Sequence, residues 1–167
     1  MKAGIRMVTK ISAIKNRTLP NNPHPAKENK KMAKMTERMQ ELFAKVPTAI
    51  LATASGDGAP NAVPVGAKKI IDSETILISN QFLNKTLANL KANPKAAISF
   101  WDGYEGYQIK GTVTIETSGK RYEETAAWIE DMGNKSGFPL KSKGAVILKI
   151  DEIFGLAPGP GAGKKLS

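Results

Sequence analysis

Residues 48–70, TAILATAS-GDG-APNAVPVGAKKI, limit the fold more than any other stretch of the chain. The first eight carry a buried-strand pattern, Gly56-Asp57-Gly58 is a turn cluster, and a return strand follows, which predicts an antiparallel hairpin. Pro60 and Pro64 each lack a backbone donor, so the return strand cannot be hydrogen-bonded on both sides throughout. Two readings follow. The segment is an edge strand or a bulge, or its unpaired backbone serves a flat heterocycle, with Val63 and Val65 as apolar walls. The residues alone do not separate them.

The remaining patterns extend the hairpin into a sheet. Met35, Met39, Leu42, Phe43 and Val46 make a helical stripe that Pro47 ends. TILIS (75–79) predicts a third strand. The period then changes, and Leu83, Leu87 and Leu90 predict a short helix closed by Asn93-Pro94. AAISFW (96–101) and YQIKGTVTIETS (107–118) read as strands. Residues 120–132 read as an amphipathic helix with Ala126, Ala127, Trp128 and Ile129 inward, and GAVILKIDEIFGL as a last strand. No βαβ repeat occurs. The order predicts an α+β fold on a closed or nearly closed antiparallel barrel. Residues 35–157 form the domain, 1–34 a basic disordered arm, and 158–167 a flexible Gly/Pro/Lys tail.

Charge and composition remove several function classes. Residues 1–35 hold nine Lys/Arg and one acid, while the rest holds sixteen basic and fourteen acidic side chains. The excess of positive charge therefore belongs to the arm, which argues against a nucleic-acid binder working through a patch on the fold. Cysteine is absent, so disulfides, thiolate zinc sites and iron–sulfur clusters are excluded. The one histidine, His24, lies in the arm, leaving the domain without an imidazole for a triad or a histidine–metal site. No run approaches the roughly 20 apolar residues that cross a bilayer, and the N-terminus lacks a secretory core. The expected compartment is the cytoplasm. Redox chemistry here would need an organic cofactor.

Two stretches suggest anion binding. GPGAGKK near the C-terminus has Pro158 where a phosphate loop needs its first glycine and Lys165 where it needs a hydroxyl, so it reads as tail. The turn from Ser79 and Asn80 to Asn84-Lys85-Thr86 is better built. A helix start offers unpaired N–H groups and partial positive charge, Asn84 suits the N-cap, Lys85 adds a cation and Thr86 a hydroxyl. Trp101 and Tyr104 could stack on a ring or simply pack. Gln108 alternates with Tyr107 and Ile109, so it faces away from the core toward ligand or water. The acids of the 120–132 helix read as a solvated face.

Taken together, ATASGDGAPNAVPV, SNQFLNKTLANLKANPKAAISFW, YQIKGTVTI and the final AVILKI strand resemble the FMN-binding split-barrel family, which includes pyridoxamine 5′-phosphate oxidase. The resemblance runs from about Thr36 to Gly163. It implies a homodimer with FMN between two barrels, and an oxidoreductase or electron-transfer protein whose donor and acceptor the sequence does not name. It further implies ring contacts from Asn61, Val63, Pro64 and Val65 and polar contacts from Ser79 and Asn80. Asn84, Lys85 and Thr86 would grip the phosphate, with Gln108 and a partner-chain Trp101 completing the groove. The family's oxidases hold their pyridoxal substrate with an Arg/His-containing C-terminal segment, which GLAPGPGAGKKLS lacks, so vitamin B6 oxidation is not implied. Relatives that bind the deazaflavin F420 or haem supply the rival ligands, and a non-catalytic flavin module is the rival of another class. Haem suits the chain poorly, since the domain lacks the histidine such iron usually takes.

Overall fold

The computed structural model describes residues 33–167. The arm expected over residues 1–34 therefore lies almost wholly outside the described residues. Its last two positions do not: Ala33 is buried, and Lys34 pairs with Glu74. The chain runs α1 (Glu37–Lys45), β1 (Ala49–Ala54), β2 (Pro60–Val65), β3 (Lys68–Asp72), β4 (Thr75–Ser79), α2 (Lys85–Ala92), β5 (Lys95–Asp102), β6 (Glu105–Glu116), α3 (Lys120–Ser136) and β7 (Ala145–Gly155).

The strands form one antiparallel sheet in the order β2-β1-β5-β6-β7-β4-β3. β2 and β3 lie at opposite ends of that order, yet only Gly66 and Ala67 separate them in sequence. Three residue steps span at most about 11 Å. The sheet must therefore curl until its two edges meet at that turn, where Ser79 N donates to Ala67 O at 2.9 Å. This is the expected split barrel. The return segment is thus two strands rather than one, and TILIS is the fourth strand.

Curling places one sheet face inside. Leu51, Ile76, Ile78, Ile98, Phe100, Ile109, Leu148, Ile150 and Ile153 are fully buried there. Gly111 is required by the curl: a Cβ on it would lie 2.1 Å from Lys149 O, at the register shift between β6 and β7. Helix α1 closes one side of the barrel with Met39, Leu42 and Phe43, as its stripe predicts, and Phe43 meets Phe100 edge-on at 5.0 Å. Lys45–Asp102 and Arg38–Glu105 ion pairs tie α1 to the β5–β6 hairpin and hold both carboxyls below the usual carboxylate range. Lys68 donates to Phe43 O and Val46 O at the helix end, and burial pushes its amine down.

Helix α3 packs on the other sheet face, with Trp128 against Leu77, Ala145 and Ile147. It runs four residues further than the pattern predicts, ending where Gly137 takes φ 70°. Thr125, Ile129 and Gly133 are its buried positions, whereas Ala127, expected inward, is exposed. The tail also differs from expectation. Instead of standing free it folds back on β7: Leu166 N donates to Ile153 O, Gly155 N to Lys164 O, and Lys165 pairs with Glu152. Glycine and proline remove side-chain anchors but leave carbonyls and most N–H groups, and these satisfy the stretch of β7 that extends beyond β4.

Candidate cofactor site

β2 is an edge strand, as one reading of its prolines required. Pro60 and Pro64 have the same parity, so both missing donors lie on one side of the strand and β1 pairs with the other. Asn61, Val63 and Val65 share the opposite parity. Val65 is buried in the core and Val63 packs against it, so both side chains are committed to the barrel, while Pro64 is exposed.

Helix α2 lies across β1 and β2, anchored by Leu90. A half-buried polar network fixes its first turn. Asn61 Nδ2 donates to Thr86 Oγ1 at 3.0 Å and to Thr53 Oγ1 at 3.2 Å, and Asn89 Nδ2 donates to Thr53 Oγ1 at 3.2 Å. Thr86 is 1% exposed. Both amide hydrogens of Asn61 are used within the protein, so its carbonyl oxygen is the group it can offer a ligand.

The start of α2 is open. Asn84 occupies the N-cap with helical backbone angles (φ −86°, ψ −77°), and its side chain makes no capping bond. A true cap takes extended angles that swing its oxygen over the helix end. No acid sits in the first turn, and Lys85 is exposed with no ion-pair partner among the described residues. The first N–H groups, the positive end of the helix dipole and an exposed lysine thus belong to one helix end. Such an end is electrostatically suited to an anion.

The segment leading to α2 is held from the far side. Ser79 and Asn80 are buried. Ser79 Oγ donates to Ser142 Oγ at 3.0 Å, Asn80 N to Gly144 O at 2.8 Å, and Lys143 N to Asn80 O at 2.6 Å. Asn80 Oδ1 accepts from Leu83 N at 3.2 Å. Gln81 Nε2 is buried with no partner among the described residues. Leaving a buried donor unpaired costs about 1–3 kcal/mol, so this amide is a group that a ligand would satisfy.

The structure brings Asn61, Ser79, Asn80, Asn84, Lys85 and Thr86 onto neighbouring elements. It does not bring Trp101 and Gln108 to them. Both lie on the outer sheet face, since Phe100 and Ile109 beside them point inward. Trp101 is 54% exposed beside Pro47 and Thr48, and Gln108 Nε2 donates to Ser99 Oγ across the strands. Thr53, Gln81, Asn89 and Ser142 were missed from sequence. Only Thr53 carried a faint signal, being a polar residue at an inward position of β1's alternation. Among the described residues no cluster of His, Cys, Asp and Glu could hold a metal ion.

Residues 35–157 match the family model described as pyridoxamine 5′-phosphate oxidase. The chain belongs to the pyridoxamine 5′-phosphate oxidase family. An uncharacterised protein of Methanocaldococcus jannaschii is 38% identical over 139 residues, covering 81% of this chain and 90% of that one. Among solved structures, HupZ of Group A Streptococcus is 29% identical with a TM-score of 0.66, over 77% of this chain and 99% of that one. An FMN-binding protein from Syntrophomonas wolfei shares the fold at 20% identity, with a TM-score of 0.61 over 71% and 83% of the two chains. The split barrel of the pyridoxamine 5′-phosphate oxidase family is therefore the fold on which this site is built.

Proposed function

We propose that this protein binds FMN, with the phosphate at the start of α2, and works as a homodimeric oxidoreductase or electron-transfer protein. The observation that carries the reading is the open α2 N-terminus, whose first N–H groups carry no side-chain cap and whose first residue, Lys85, is exposed with no ion-pair partner among the described residues. A helix with no ligand to bind would gain about 1 kcal/mol from a side-chain cap at Asn84. Bound FMN supplies the electron or hydride transfer.

The chain's own residues do the rest. Lys85 and the first turn of α2 hold the phosphate. The edge strand from Asn61 to Val65 presents backbone to the ring, and Pro64 keeps its outer side clear of a further strand. Asn80 and Gln81 add polar contacts near the same end. Trp101 and Gln108 belong to an outer face floored by small side chains such as Ala52, Ala97 and Ser99. That face suits a second copy, whose Trp101 and Gln108 would reach the ring that this copy's phosphate site anchors. The described residues include no histidine, which favours flavin over haem.

The visible absorption spectrum of the purified protein, before and after adding FMN, tests the reading. The expected result is a flavin spectrum and saturation near one FMN per protomer. A protein that stays colourless in FMN, or that carries a deazaflavin or haem spectrum, overturns it.

A further inference from the structure

The loop between α3 and β7 touches the cofactor segment more closely than its distance in sequence suggests. Residues 142–144 grip Ser79 and Asn80 by three bonds: Ser79 Oγ to Ser142 Oγ, Asn80 N to Gly144 O, and Lys143 N to Asn80 O. Ser142 is itself fixed, donating to Gly144 O at 3.1 Å. Ser79 and Ser142 are 5% and 9% exposed, so solvent does not compete for this bond. Beyond the grip, Asn80 Oδ1 takes Leu83 N, and the chain passes Gln81, with its unpaired buried amide, into the open start of α2.

The geometry has a direct consequence for Ser79. Its hydroxyl proton goes to Ser142, so Ser79 reaches a ligand only through its oxygen or its backbone. The contacts that the segment can give, from Asn80, Gln81 and the first N–H groups of α2, depend on where the segment is held.

We propose that Ser142 is a positioning residue for the cofactor site, a splint that fixes the Ser79–Leu83 segment so that Asn80, Gln81 and the α2 start meet the ligand together. The proposal rests on the FMN reading above. It adds a residue more than fifty positions away in sequence, on the loop between α3 and β7.

The test is a double-mutant cycle read as FMN affinity in the full chain. Ser142→Ala is expected to weaken FMN binding about threefold to tenfold, the range of one neutral hydrogen bond. Ser79→Ala should weaken it comparably, and the double variant should lose no more than the worse single one, because both remove the same bond. Ile150→Val, a buried change at the other side of the core, serves as the control. It should lower the melting temperature by a similar amount and leave FMN affinity unchanged. Unchanged affinity in Ser142→Ala, additive losses in the cycle, or an equal affinity loss in Ile150→Val would each overturn the splint while wild-type binding stands. Wild-type protein that fails to take up FMN defeats the cofactor reading itself, and the splint with it.

Discussion

Helices α1 and α2 are of nearly equal length and both lie against the barrel, yet they end in opposite ways. In α1 both ends are closed. Thr36 accepts from Met39 N, Glu37 sits in the first turn, Lys45 in the last, and Val46 N returns to Leu42 O. The helix buries Met39, Leu42 and Phe43 and is pinned by ion pairs at both ends. In α2 the C-terminus is closed, by Asn93 N to Asn89 O, but the N-terminus has neither cap nor acid and carries an exposed lysine. Its first turn is nonetheless rigidly placed, because Thr86 is buried and bonded to Asn61. An end that is rigid and electrostatically unfinished is suited to binding; an end that is rigid and finished is suited to holding the fold.

The contrast makes the two helices respond differently to single changes. Lys85→Ala should have the largest effect, weakening FMN binding by about 1.5–3 kcal/mol, the range of a hydrogen bond to a charged group. Because Lys85 is exposed and unpaired among the described residues, the melting temperature of the cofactor-free protein should not move. Isothermal titration together with thermal unfolding reads both quantities, and retained affinity would remove Lys85 from the phosphate site. Thr36→Ala should do the reverse. Losing the α1 cap costs about 1 kcal/mol of stability, visible as a lower denaturation midpoint, with FMN affinity unchanged. A drop in affinity there would show that α1 is not merely structural.

The same contrast explains what the sequence made legible. α1 was readable because its apolar period and terminating proline agree. The α2 start stood out as a candidate anion site because Asn84, Lys85 and Thr86 are adjacent, although only the surrounding order of strands singled it out among capped helices with a nearby lysine. Features that depend on closing the barrel were not readable. Between Val65 and Lys68 only Gly66 hints at a change of strand, a signal too weak to divide the segment, because the break exists only where the two sheet edges meet. Thr53 and Asn89 acquire their meaning from Asn61 across two elements, and Ser142 from Ser79 across the chain. The C-terminal tail reads as free because its composition is Gly- and Pro-rich, but β7 offers it backbone partners that no side-chain pattern reports. Helix α3 outlasts its pattern because Gly133 fits closely against the chain at Leu140, an economy of space that propensity alone counts against.

The smallest predicted effect separates the two roles most cleanly, because it gives one α2 position the acidic character of α1. Asn84→Asp places a negative charge at the positive end of the helix dipole, which stabilises a helix by about 0.3–1 kcal/mol. The cofactor-free protein should therefore unfold at a slightly higher temperature. The same carboxylate would face the phosphate of FMN, so affinity should fall, and the loss should shrink as added salt screens the repulsion. Opposite signs from one substitution are the signature of a helix end left open for an anion. If stability and affinity rise together, the phosphate lies elsewhere and the uncapped end of α2 has no tie to the cofactor.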